Sequence, residues 1–283
     1  NLALPMTAAQ LINVLYSIVD RIYIGRLPHT SAEALTGIGL TLPVITIITA
    51  FANLFGMGGA PLCSIARGEH NEEKAEKVMG NSFVLLLISG GVLMILCLIF
   101  KRPLLYLFGA SDVSWPYADQ YITIYLLGTL FVMISLGMNN FINAQGFGKT
   151  GMLTVLLGAV LNIVLDPVLI FGFDMGVRGA AIATIISQGA SAFWVLKFLT
   201  GKKALLHLNL KGMCLEWKRV KEIVLLGTSG FVMSVTNGLV QIASNAMLSR
   251  YGGDLYVGIM TVINSVREII TMPVTGLTSG AQP

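Results

Sequence analysis

Leu161-Asn162-Ile163-Val164-Leu165-Asp166-Pro167 puts an amide, a carboxylate and a proline inside an otherwise apolar run. A carboxylate at the centre of a membrane helix costs roughly 3 kcal/mol even on lenient insertion scales, so it marks a functional site by default. Asn162 and Asp166 are four residues apart and share one face of a helix. Pro167 has no backbone N–H, so the carbonyl of Ile163 one turn earlier loses its helical partner. The run predicts a cluster of oxygen atoms in a kinked helix, suited to a proton or a small cation.

The surrounding sequence supplies the setting. Of 283 residues, 55% are hydrophobic and only 11% charged, with a mean hydropathy of +0.79. A soluble domain carries about 25% charged residues. Apolar stretches at 2–25, 37–64, 79–100, 117–143, 151–172, 178–199, 221–249 and 255–281 are long enough to span a bilayer. The predicted fold class is therefore an all-α, polytopic membrane bundle. The alternation of a membrane β-barrel strand, about ten residues long, is not found.

Orientation follows from the basic residues of the loops. Arg67, Lys74, Lys77, Lys149, Lys197, Lys202, Lys203, Lys211, Lys218, Arg219 and Lys221 fall on one side, and Arg26, Lys101, Arg102, Arg178 and Arg250 on the other. The richer side is expected in the cytoplasm, with the first helix running from inside to outside. The net charge of +4 signals this orientation and not nucleic-acid binding. Cys63, Cys97 and Cys214 show no metal-ligand spacing, and His29, His70 and His207 sit in loops. With no intramembrane histidine and no Cys–His pairing, an intramembrane enzyme is excluded, and no cofactor beyond a coupling ion is expected.

A second acid, Asp20, lies fifteen residues after Pro5 in the first helix, about 22 Å along it. Asp166 lies fifteen residues after Gly151 in the fifth, so the two carboxylates are expected at one depth in the outer half of the bilayer. Two neighbouring carboxylates cannot both ionise cheaply in a low-dielectric site, which makes the pair a proton carrier. With added oxygens from amides, a hydroxyl and a freed carbonyl, the same pair becomes a hard-cation site, with Na⁺ as occupant.

A weak internal repeat runs through the chain. Asp20 to Gly25, Leu35 to Ile38 and Gly58-Gly59-Ala60-Pro61 recur as Met247 to Gly252, Tyr256 to Ile259 and Gly280-Ala281-Gln282-Pro283, about 220 residues later. Six helices separate the copies, and an even number implies a parallel repeat about the membrane normal. Three segments are expected: an amino-terminal six-helix bundle (1–200), a basic cytoplasmic connector (201–220), and the first two helices of a second bundle (221–283). The start at Asn1 and the stop at Pro283 inside an apolar helix lead to the expectation that both ends are cut and that four further helices follow.

Pro5, Asp20 and Gly25, the Asn162-x-x-x-Asp166-Pro167 run with Phe171-Gly172 after it, and the repeat together resemble the multidrug and toxic compound extrusion (MATE) family. The acids in helices one and five resemble its DinF-like branch. Helix seven offers no acid inside its apolar span, Glu222 lying at its cytoplasmic edge, unlike the NorM-like branch. The resemblance implies twelve helices in two six-helix bundles about a central cleft, in the plasma membrane. It implies antiport, in which drugs or toxic organic cations leave in exchange for H⁺ or Na⁺. The positions it assigns to the cation or proton site are Asp20, Tyr121, Asn139, Asn162, Asp166 and Thr184, with Na⁺ ligation at Asp20, Asn162 and Asp166. Pro5 and Pro167 are the expected helix hinges. The expected partners are small organic, cationic substrates and the lipid bilayer, not nucleic acid, and the protein is expected to be a monomer. The alternative reading is a lipid-linked oligosaccharide flippase of the same superfamily. It would want basic residues along the cleft, where apart from Arg267 the spans offer acids and amides.

Overall fold

The computed structural model describes residues 3–26 and 31–281. The chain forms α1 (Ala3–Ile24), α2 (Ser31–Gly68), α3 (Glu72–Leu107), α4 (Trp115–Leu127), α5 (Thr129–Ala144), α6 (Gly148–Pro167), α7 (Val177–Leu199) and α8 (Trp217–Ala281). No strand occurs among the described residues. Among the described residues five helices are long and apolar enough to cross a membrane, and six spans result if α4 and α5 count as one bent span. Apolar side chains also face outward: Ile88, Val92, Ile95 and Ile99 make an exposed stripe along α3 at helical spacing. In a bilayer that stripe meets lipid, where it costs nothing.

Two helix boundaries differ from the sequence expectation. The single helix expected at 117–143 is broken at Gly128, and α4 and α5 meet at 58°. A Cβ at Gly128 would lie 2.0 Å from Cδ1 of Ile185, so α7 packs into the space that a side chain would fill. The helices expected at 221–249 and 255–281 are joined through Gly253 with no intervening loop. Gly253 has φ 70°, ψ −174°, a backbone state open to glycine at no steric cost, and it divides α8 into arms 217–252 and 254–281.

Pro167 does not end its helix abruptly. The chain continues through it into a π-turn at Val168–Gly172, closed by Phe173 N–H to the Val168 carbonyl at 2.9 Å. Such wide turns occur often at functional sites. Gly179 makes the return into α7 tight, its missing Cβ falling 2.8 Å from the Leu169 carbonyl oxygen. Pro5 is the third residue of α1. Its side chain, His29 and the repeat residues Gln282 and Pro283 lie outside the described residues.

The connector is built into the first bundle. Gln145 Oε1 accepts the N–H groups of Leu205 and Leu206, each at 3.0 Å. Glu76 accepts from the His207 N–H at 2.8 Å and from Asn209 Nδ2 at 2.6 Å. Asn81, fully buried, donates to the carbonyls of Gly212 (3.1 Å) and Cys214 (2.9 Å) and accepts the Glu216 N–H at 2.9 Å. Gly80 lets this segment press onto α3, since its Cβ would stand 2.3 Å from the Gly212 oxygen. The basic segment expected merely to lie along the cytoplasmic face is thus hydrogen-bonded to α3 and to the end of α5.

α8 packs along α2. At one end the two cross at glycines: a Cβ on Gly227 would lie 2.0 Å from the Leu54 oxygen, and one on Gly58 would lie 2.2 Å from that of Ile223. At the other end Thr36 Oγ1 donates to the Asp254 carbonyl at 2.8 Å, and the Ser111 hydroxyl donates to the Asp254 carboxylate. α1 lies against α6 and against α8, which is the contact that positions the site.

Candidate functional site

Asp20 stands one turn from the end of α1, and Asp166 one residue from the end of α6. Both are buried, Asp166 completely. Because α1 rests on α6, their carboxyl groups are close neighbours. Two carboxylates are both acceptors, so a single proton between them is what turns this approach into a bond.

Asn162 lies one turn before Asp166 and is also buried. Its Nδ2 approaches Asp166 Oδ1 at 3.3 Å and Thr184 Oγ1 at 3.5 Å. The Thr184 hydroxyl donates to the Ala180 carbonyl one turn back in α7, at 3.0 Å, leaving its oxygen turned to the site as an acceptor. Tyr121 of α4, also buried, lies beside Thr184 and Asp20. Five of the six predicted site residues therefore converge, from α1, α4, α6 and α7.

Three oxygens in this group are buried and find no hydrogen-bond donor among the described residues: Asp20 Oδ1, Asp166 Oδ2 and Asn162 Oδ1. An orphaned buried acceptor costs about 1–3 kcal/mol, and three together make a site that wants a positive guest. Carboxylate, amide and hydroxyl oxygens are the ligands that suit a proton or a hard cation and not a soft metal.

Asn139 is not in this group, which corrects the sequence expectation. Its Nδ2 donates to the Gly151 carbonyl at 3.3 Å. Gly151 is fifteen residues before Asp166 in α6, about 22 Å away along a helix. The neighbouring Asn143 presses on the same glycine, whose Cβ would fall 2.1 Å from Asn143 Oδ1. The Asn139 bond fastens α5 to the Gly151 end of α6, and Asn143 packs beside it.

Tyr125, which sequence reasoning did not single out, extends the site. It is buried one turn after Tyr121, and the two rings stack with centroids 6.2 Å apart at 15°. Their spacing of four was the available signal. One turn beyond Thr184, Gln188 Oε1 accepts the Ser135 hydroxyl proton, a second polar layer beneath the first.

Comparison with known proteins places this geometry in a family. The MatE family model matches residues 5–168, more than half of the chain. The chain is 30% identical to the multidrug export protein MepA of Staphylococcus haemolyticus and to that of Staphylococcus aureus, over 99% of its own length and 62% of theirs. It therefore spans less than two thirds of those relatives. A solved structure of the MATE multidrug transporter DinF-BH in complex with a ligand superposes on all of the chain and on 63% of that protein, with a TM-score of 0.94 at 34% identity. This chain belongs to the MatE family, in the DinF-like branch of the multidrug and toxic compound extrusion proteins, and is a multi-pass protein of the plasma membrane.

Proposed function

We propose that the chain carries the ion-binding bundle of a monomeric secondary transporter that exports drugs or toxic organic cations in exchange for H⁺ or Na⁺. The observation that carries the reading is the trio of donor-less buried oxygens on Asp20, Asp166 and Asn162. A proton shared by the two carboxyls, or one Na⁺ among the three residues and Thr184, would cancel the repulsion between the two carboxylates that α1 and α6 bring together. An ion that binds one arrangement of these helices better than another shifts the balance between them by that difference in affinity, and so couples its own gradient to the cleft. The names of the relatives support drug export: MepA is a multidrug export protein, and DinF-BH is a multidrug transporter solved in complex with a ligand. The acids and amides of the spans favour cationic cargo.

The test is efflux of a cationic rhodamine dye, used as probe, from vesicles under an imposed H⁺ gradient and then an imposed Na⁺ gradient. One gradient is expected to drive efflux, and Asp166→Asn to abolish that drive while leaving the protein in the membrane. Efflux that ignores both gradients overturns the reading.

A further inference from the structure

α1 presents two polar side chains in succession. Asp20 turns into the first bundle toward Asp166. Arg21, about 100° further round the helix, turns out of it, and its Nη1 donates to Ser265 Oγ on the 254–281 arm of α8 at 2.6 Å. Ser265 is buried, and its own hydroxyl proton is committed to the Thr261 carbonyl at 2.9 Å, so its oxygen is turned to the guanidinium. Thr261 on the same face is buried against Gly39 of α2, where a Cβ would come 2.1 Å from its hydroxyl oxygen. The arm is thus seated on α1 and α2 by a polar face, and a charge-assisted bond sets its register one residue from the site.

We infer that Arg21 is the positioning residue that ties the Asp20–Asp166 site to the second bundle: a shift of α1 at Asp20 is carried to the 254–281 arm of α8 through the Arg21–Ser265 bond. The inference rests on the ion-site reading above. Its physical basis is stiffness at one end and discreteness at the other. Adjacent residues of one helix move together, so Asp20 cannot turn or slide without Arg21. An apolar contact lets helices slip past one another, whereas a hydrogen-bonded charge between helices holds one register or breaks.

The experiment uses the complete protein in lipid vesicles, labelled with one probe on the cytoplasmic end of each bundle, and reads their separation as H⁺ or Na⁺ is stepped. The parent protein is expected to show an ion-driven change. Arg21→Gln and Ser265→Ala are expected to cut that change by at least about fivefold, the low end of allosteric couplings, while affinity for the rhodamine dye stays within about twofold. Arg21→Lys, which keeps a charged donor, is expected to restore most of it, a rescue that a merely structural role does not predict. Should Arg21→Gln fail to fold, Ser265→Ala decides, since it removes one hydroxyl from the other side of the contact. A full ion-driven change in Arg21→Gln or Ser265→Ala, together with its loss in Asp166→Asn, overturns the role of Arg21 and leaves the ion site standing. A full change in Asp166→Asn overturns the ion-site reading itself.

Discussion

Asn162 holds Asp166 Oδ1 at 3.3 Å with the same amide nitrogen that reaches Thr184 at 3.5 Å, while its own oxygen has no donor. One side chain thus orients the carboxylate and offers the site a further ligand. Asn162→Ala removes both functions at once. Ion-driven efflux is expected to fall roughly tenfold or more, since losing a residue that orients a ligand typically costs that much in metal-site affinity. Asn162→Asp keeps an oxygen but adds a third charge, and is expected to change which gradient drives export of the rhodamine dye. Efflux under separate H⁺ and Na⁺ gradients checks both.

Asn139→Ala is expected to leave the ion dependence of efflux unchanged. It deletes the bond to Gly151 between α5 and α6, so thermal stability in detergent should fall by about 0.6 kcal/mol, an average interhelical hydrogen bond in a membrane protein. Loss of ion coupling in this variant with normal stability would return Asn139 to the site.

Which parts were legible follows from where the determining geometry lies. Asn162, Asp166 and Pro167 sit on one helix, and helical periodicity alone puts the first two on one face. The meeting of Asp20 with Asp166 needed only matched depth in two spans, which loop charges supply. Asn139 needed more: the 58° bend at Gly128 redirects everything after it, and that bend comes from packing against Ile185, a residue 57 positions away in sequence. Tyr125 was missed because a tyrosine in an apolar span looks like packing until a partner ring is seen beside it. The tight seat of the connector was equally hidden, since Asn81 sits within α3 and nothing local says that its amide bonds a segment more than a hundred residues on.

Gly227→Val is expected to wedge α8 away from α2, because the backbone of Leu54 stands 2.0 Å from where the new Cβ would be and cannot yield like a side chain. Overpacking of this kind costs about 1–3 kcal/mol. A cysteine placed at Leu54 should then react faster with a thiol reagent applied from the cytoplasmic side.

Asp254→Ala is expected to loosen the opposite rim. It removes the carboxylate that accepts from Ser111 while leaving the carbonyl that accepts from Thr36. A charge-assisted bond of this type contributes about 1.5–3 kcal/mol. Thermal stability in detergent should fall by about that amount in Asp254→Ala and by no more in the Ser111→Ala, Asp254→Ala double variant.

The anchoring of residues 205–216 by Gln145, Glu76 and Asn81 has a mechanical consequence. A tether between rocking halves normally supplies slack, and its length sets how far they swing. Here the slack is gone by Glu216, whose N–H is the last held by Asn81, one residue before α8 begins at Trp217. Any swing of α8 against α3 is therefore confined to that joint, and residues 205–216 stay with α3.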